Sequence, residues 1–275
     1  MENKILLSID LEEFDLPLEY STYIDKDEQI RISKEGMKNL EHILNKYNIK
    51  STIFTTAFWA NENKEYIKQL SENHEIGSHA YFHSDFSQEF IQSSKQEIES
   101  IIKKEVAGFR MPRMMEVDNS KLMEAGYKYN SSLNPTYIIG KYNHFFKNKN
   151  IHVANGVIQV PTSVSNLLRI PLFWLSIKVF PISYYQFLCK KVLKKNGYLL
   201  IYIHPWEFVD LSKYKIPNLI KSVSGKEQLN RFENIISYLS TIGSFSTIND
   251  YLNENFDKKN DNHQLEKIAT NSKRA

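Results

Sequence analysis

At 275 residues, with 41% hydrophobic and 24% charged content, the chain has the makeup of a globular protein with one large core, which excludes fibrous and disordered classes. A formal net charge of +3 is too weak and too dispersed to argue for a nucleic-acid partner. Cys189 is the single cysteine, so no internal disulfide can form and a reducing compartment suits the chain.

In chain order, "MENKILLSID" lacks the longer apolar core of a secretory signal and reads as a first strand, which makes a cytoplasmic location the expectation. Its run "KILLSI" is continuously apolar, as in a strand buried on both faces. Ser33 is the expected cap of a helix over 34–47, where Met37, Leu40, Ile43 and Leu44 recur at helical spacing. "STIFTT" is the next strand, rich in β-branched residues. A helix over 62–72 leads to a short strand at "EIGS", and a long amphipathic helix over 87–105 leads to a fourth strand at "VAGF". "SKLMEAG" is a short helix stopped by Gly126. Strands are predicted at "IHVA", "VIQV" and "YLLIYI", with a helix over 183–194 before the last of them. A long helix over 226–243 and a strand at "SFSTI" complete the pattern. This alternation implies a parallel sheet, and the number of units favours a distorted (β/α)7-8 barrel over an open sheet. One domain over 1–256 is expected, followed by a polar, flexible tail at 257–275.

One stretch departs from the alternation. "LLRIPLFWLSIKVFPISYYQFL", residues 167–188, is apolar and aromatic, but Arg169, Pro171, Lys178 and Pro181 interrupt it, so no membrane-spanning run exists there. Two readings stand side by side. It is either an excursion that packs into the core, or an exposed lip that lines a groove or touches a membrane surface.

Active sites of parallel barrels gather at the carboxyl ends of strands, and four such ends carry reactive residues. The first strand ends "SIDLEEFD", in which Asp10 and Glu12 share one side of an extended chain. His79 and His83 follow the third, Arg110 with Pro112 the fourth, and His204 with Pro205 the strand "YLLIYI". Each alone has a plain explanation: solvated acids, loop histidines, a surface arginine, a capped turn. Together, a carboxylate and two imidazoles at strand ends are what a catalytic zinc-like ion requires. All nine glycines are isolated, so neither a dinucleotide fingerprint nor a phosphate loop is present. No G-x-S-x-G elbow occurs either, and Cys189 sits in "FLCKKVL" like a buried helix residue. Metal-assisted hydrolysis is the class that survives.

From "LLSIDLEEF" through "STIFTTAFWANENKEYIKQLSENHEIGSHAYFH", "FRMPR" and "YNSSLNP" to "YIHPWEF", the chain resembles the polysaccharide deacetylase family, the carbohydrate esterases with a chitooligosaccharide-deacetylase domain. Its "D-x-E" and "HPWE" forms resemble the branch found in exopolysaccharide gene clusters. The resemblance implies removal of an N-acyl group, usually acetyl, from an amino sugar, with one divalent ion, zinc first among the candidates. It implies Asp10 as general base, Glu12, His79 and His83 as metal ligands, Arg110 as the partner that orients the base, and His204 as general acid. Pro112, Tyr81 and Trp206 are expected at the substrate. Many members carry two adjacent aspartates where this chain has Asp-Leu-Glu, and Glu13 is a rival to Glu12 as ligand. Asn130 stands where relatives often have an aspartate. A cytoplasmic member implies a soluble sugar or a lipid-linked precursor at the inner membrane face as substrate, with residues 167–188 as a peripheral membrane contact. Rival readings are an amidohydrolase of small non-sugar amides or cyclic imides, and a catalytically silent carbohydrate-binding relative.

Overall fold

The structure, a computed structural model, describes residues 2–138 and 142–256. The tail expected over 257–275 lies outside the described residues. In chain order the elements are β1 (Lys4–Leu11), α1 (Lys26–Lys46), β2 (Thr52–Thr55), α2 (Ala57–Glu62), α3 (Lys64–Leu70), β3 (Glu75–Ser78), α4 (Phe90–Ile102) and β4 (Gly108–Phe109). They continue with α5 (Asn119–Glu124), β5 (Tyr129–Asn130), β6 (Tyr137–Ile138), β7 (Tyr142–Asn143), β8 (His152–Ala154), β9 (Val157–Gln159), α6 (Trp174–Val179) and α7 (Ile182–Asn196). Last come β10 (Tyr198–Ile203), α8 (Asn218–Lys221), α9 (Gly225–Leu239), β11 (Ser244–Ser246) and α10 (Ile248–Asn255).

Nine strands form one curled sheet in the order β10-β1-β2-β3-β4-β5-β9-β8, with β11 also paired to β1. Every ladder is parallel except the β8–β9 hairpin. The curl is the distorted barrel that the alternation implied. Between β9 and β10, irregular backbone replaces a strand: Val160 N donates to Asn130 O at 2.8 Å, and Ser163 N to Leu200 O at 3.0 Å. Two-residue periodicity sorts the side chains. Ile5, Leu7, Ile9 and Leu11 join the layer under the helices, whereas Leu6 points inward with Phe54, Tyr129, Tyr198 and Leu200.

Local capping explains where the helix boundaries differ from expectation. α1 begins at Lys26 because the Asp25 carboxylate accepts from Asp27 N at 2.8 Å and Glu28 N at 3.3 Å, which frees Ser33 for a mid-helix role. There the Ser33 hydroxyl donates to the carbonyl of Glu12. The helix expected over 62–72 is two helices, starting earlier at a Thr56 cap. α10 was hidden behind the last strand, and β6–β7 behind a polar loop. Gly36 allows α1 to touch the turn after β10, since a Cβ there would lie 1.9 Å from Pro205 O.

Residues 167–188 divide between both readings. Leu172, Ile177, Tyr185 and Leu188 are buried, while Leu167 and Leu168 stand out at the tip of a turn. Among the described residues no helix is long and apolar enough to cross a membrane.

Candidate metal and acid–base centre

One rung of the sheet, running Leu11–Thr55–Ser78–Phe109–Asn130, sets the height at which the reactive side chains leave the strands. Asp10, on β1 beside Phe54, points inward two residues beyond Ser8. Arg110 follows β4, its N–H donating to Ser78 O at 2.8 Å. Its guanidinium is fully buried; Nη1 donates to Asp10 Oδ1 at 2.6 Å, and Nη2 and Nε to Oγ and O of Ser131 at 2.9 and 3.1 Å. The group also packs over the rings of Phe54 and Tyr202 at 4.3 and 5.3 Å. A buried charge pair of this kind is held in one geometry, with little freedom left to the carboxylate.

Glu12 lies one residue past β1, and its Oε2 is 3.0 Å from His79 Nε2 and 3.2 Å from His83 Nε2. These three donor atoms lie within 4.8 Å of one another, and all three residues are buried. Each imidazole has its other nitrogen engaged. His79 Nδ1 faces Arg110 O at 2.8 Å, and His83 Nδ1 faces the Asp15 carboxylate at 2.9 Å. Protons on Nδ1 therefore leave both Nε2 lone pairs aimed at the same point, the arrangement metal-ligating histidines show. The turn between them depends on Ala80, a buried residue at φ 63°. A left-handed non-glycine residue costs roughly 1–2 kcal/mol, and here the first turn of α2 holds it. Ala57 N and Phe58 N, both without helical acceptors, donate to Ala80 O at 3.0 Å and Tyr81 O at 2.9 Å. In this arrangement burial opposes ionisation of Glu12, but the His83, His204 and His79 imidazoles outweigh it and hold its carboxyl well below the usual range. Burial likewise opposes charge on His83, and Glu12 and Asp15 overcome it, raising its pKa to about 9.

Glu13 turns the other way. It accepts from Thr56 Oγ1 at 2.7 Å, and burial raises its carboxyl pKa despite that bond. Of the two rival carboxylates, Glu12 is the one beside the histidines.

His204 stands across the cavity at the end of β10. Its Nε2 is 3.9 Å from Asp10 Oδ2 and 4.0 Å from Glu12 Oε1. The ring stacks on Trp206 at 4.8 Å and meets Trp174 edge-on at 5.3 Å. Glu207, fully buried, accepts from the His204 backbone N–H at 2.7 Å and lies 3.2 Å from Nδ1. Gln228 donates to the other Glu207 oxygen at 3.0 Å, and buried Lys178 approaches it at 3.7 Å. Burial works against the imidazolium, but Glu12, Glu207 and Asp10 together raise the His204 pKa above its ordinary value.

Asp10, Glu12, His79, His83, His204 and Trp206 share one cavity. Its remaining wall is mostly apolar, with Leu16, Ile138, Phe173, Trp174 and Leu175 among the residues facing in. Arg110 lies beneath the floor, behind Asp10. Tyr81 and Pro112 are not in the wall: Tyr81 packs against Phe82 and Phe90, and Pro112 is buried in the turn after β4. Asn130 is also apart from the cavity. Its amide donates to Asn119 and Gln159, and its carbonyl accepts from Ser132, in a buried amide network. Three residues that sequence reasoning passed over are Asp15, Ser131 and Glu207. Only Glu207 had a local signal, since a proline followed two residues later by glutamate is a capping pattern.

Residues 25–129 match the polysaccharide deacetylase family model. A comparison with curated proteins finds no match. Among solved structures, a protein assigned as a polysaccharide deacetylase from Mycobacterium smegmatis aligns at TM-score 0.67 and 15% identity, over 94% of this chain and 92% of its own. The PuuE allantoinase aligns at 0.61 and 15%, over 92% and 90%. A CE4 family pseudoenzyme from Bacillus anthracis aligns at 0.51 and 14%, over 91% of this chain and 66% of its own. These likenesses speak for the barrel, and the match over residues 25–129 shows that this segment is similar to the polysaccharide deacetylase family.

Proposed function

We propose that the protein is a metal-dependent hydrolase that removes an N-acyl group, acetyl in the first instance, from an amino sugar. The observation that carries this reading is the convergence of Glu12, His79 and His83 within 4.8 Å, beside the Asp10–Arg110 pair and facing His204. The donor set of one carboxylate and two imidazoles fits a divalent ion, zinc foremost, with positions left open for water and substrate. What such an ion supplies when bound is Lewis acidity, which polarises an amide carbonyl and acidifies water.

The chain's own residues do the rest. Asp10 accepts the proton of the attacking water at Oδ2, while Arg110 keeps its Oδ1 engaged and the carboxylate aimed. His204, charged and aimed by Glu207, gives the proton from Nε2 to the departing amine, which is a poor leaving group without it. Trp206, through Nε1, donates to Glu12 Oε1 at 3.2 Å and fixes that carboxylate's second oxygen. Trp174, Phe173 and Leu175 close the wall against water and suit the face of a sugar ring or an apolar carrier. A lipid-linked amino sugar is therefore the substrate class this cavity favours over a fully hydrated polymer. The set of base, ligand, arginine and acid side chains is complete, and a silent binding relative has no use for all of it.

The test is acetate release from a panel of N-acetylated glycans, nucleotide sugars and lipid-linked amino sugars with zinc added, alongside small amides and cyclic imides. Turnover of an N-acetyl sugar by the wild type, loss of metal in Glu12→Ala and loss of turnover with metal retained in Asp10→Asn are expected. Turnover confined to small non-sugar amides would assign the site to another amidohydrolase. A zinc-loaded protein inert on every substrate would make it a binding relative.

A further inference from the structure

Two neighbouring turns carry three large apolar side chains with almost no cover. Phe146 is 89% exposed, Leu167 86% and Leu168 69%. These turns are fastened to each other. Arg169 Nη1 donates to Lys147 O at 2.7 Å, and Lys149 Nζ to Asn166 O at 2.9 Å. The second turn is also closed on itself, with Ser165 N donating to Ile170 O at 2.8 Å and Ile170 N to Ser165 Oγ at 2.9 Å. The apolar tips are thus displayed by a built scaffold.

Lys147 in the first turn is paired with Glu116, and the cations that remain around the tips are Lys149, Arg169 and Lys195. Among the described residues, no ion pair involves Lys149, Arg169 or Lys195. They are near enough for Lys195 and Arg169 to repel charge on Lys149, whose pKa is lowered first by burial and then by both. Apolar tips over unneutralised cations match a lipid interface with anionic headgroups. The tips enter the acyl boundary and the cations meet phosphate.

We propose that Phe146, Leu167 and Leu168, with Lys149, Arg169 and Lys195, form a docking surface for an anionic lipid bilayer. The proposal rests for its purpose on the reading of a lipid-linked substrate, and it narrows the apolar stretch 167–188 to its tip and adds Phe146. The surface belongs to the same strap as the cavity wall. Thr136 Oγ1 donates to Arg169 O at 2.7 Å and His144 N to Thr136 O at 2.8 Å, while Ile138, Tyr142 and Phe173 on that strap face into the cavity. Docking at the tips therefore brings that wall to the membrane.

The test is co-sedimentation of the full chain with vesicles of phosphatidylcholine alone, or with phosphatidylglycerol as a minority component, at low and high salt. Wild-type protein is expected on the anionic vesicles only, and released by salt. The triple variant Phe146→Ser, Leu167→Ser, Leu168→Ser should lose at least about ten-fold in partitioning. Lys149→Glu and Lys195→Glu should each lose at least about five-fold. Deacetylation of a water-soluble N-acetylated sugar should be unchanged in the triple variant. That separates the docking surface from the chemistry: either can fail while the other stands. Wild type that ignores both vesicles, binding that survives the triple variant, or salt-independent binding to both vesicles overturns the proposal. A wild-type dimer that becomes monomeric in the triple variant overturns it too, because the patch is then a contact between copies.

Discussion

His83 and His204 use the same device for different ends. Each has a buried carboxylate on its Nδ1, Asp15 at 2.9 Å and Glu207 at 3.2 Å, so in each the Nε2 side does the work. What separates them is the distance to the acids in front. His83 Nε2 is 3.2 Å from Glu12, a donor-to-donor gap that an ion can bridge together with His79. His204 Nε2 stands 3.9 Å from Asp10 and 4.0 Å from Glu12, which leaves room for a reacting atom. Under a ångström of placement thus divides a proposed ligand from a proposed proton donor. The supporting carboxylates inherit the division, one serving metal retention and the other a protonation state.

Removing the imidazoles breaks the comparison most severely. His83→Ala should lose the metal and all measurable turnover, and keep its fold, because a barrel of this size has a core of its own. His204→Ala should keep the metal, which elemental analysis of the two purified variants would check. Equal metal contents would erase the distinction. On a good amide substrate His204→Ala should then be slower by about 10²–10⁴-fold, whereas an activated ester, which needs little leaving-group protonation, should suffer far less. Matched amide and ester rates measure this, and equal losses would reduce His204 to a packing role beside Trp206.

The supporting acids sharpen the comparison with smaller effects. Asp15→Asn should weaken metal binding by about 10–100-fold, read by competition with a chelator, and leave the alkaline side of the pH–rate profile in place. Glu207→Gln should do the reverse. A carboxylate beside an imidazolium favours the charged form, so its loss lowers the His204 pKa and moves the alkaline limb toward lower pH. A limb that stays put in Glu207→Gln, with Gln228 and Lys178 still in place, would show that Glu207 only braces the turn.

Much of this was readable without coordinates, for identifiable reasons. Strand ends were legible because "KILLSI", "STIFTT" and "YLLIYI" carry apolar or β-branched runs, and β1, β2 and β10 lie where those runs do. Asp10 and Glu12 were paired by the period of an extended chain. The competition between Glu12 and Glu13 was not legible, because two adjacent acids differ only in direction, and the direction is set by Thr56, the distant cap of α2. Asp15 was hidden for a similar reason: its partner lies 68 residues away. Tyr81 shows the opposite error, since a place between two site histidines puts it on the outside of a left-handed turn, against Phe82 and Phe90. Ser33 looked like the cap although Asp25, with Glu28 three residues on, carries the capping pattern of the true helix start.

Gly36 carries a lesson for anyone who would make this protein hardier. It sits inside a 21-residue helix, where swapping glycine for alanine normally stiffens the unfolded chain and gains about 0.4–1 kcal/mol. Here the added methyl would collide with the carbonyl of Pro205, the residue that follows His204. α1 also anchors Glu12 through Ser33, and Phe208 through Asn39 at 3.0 Å. The helix is a clamp on the two segments that follow β1 and β10, so a thermostabilising library should leave position 36 alone even though every helix scale recommends changing it.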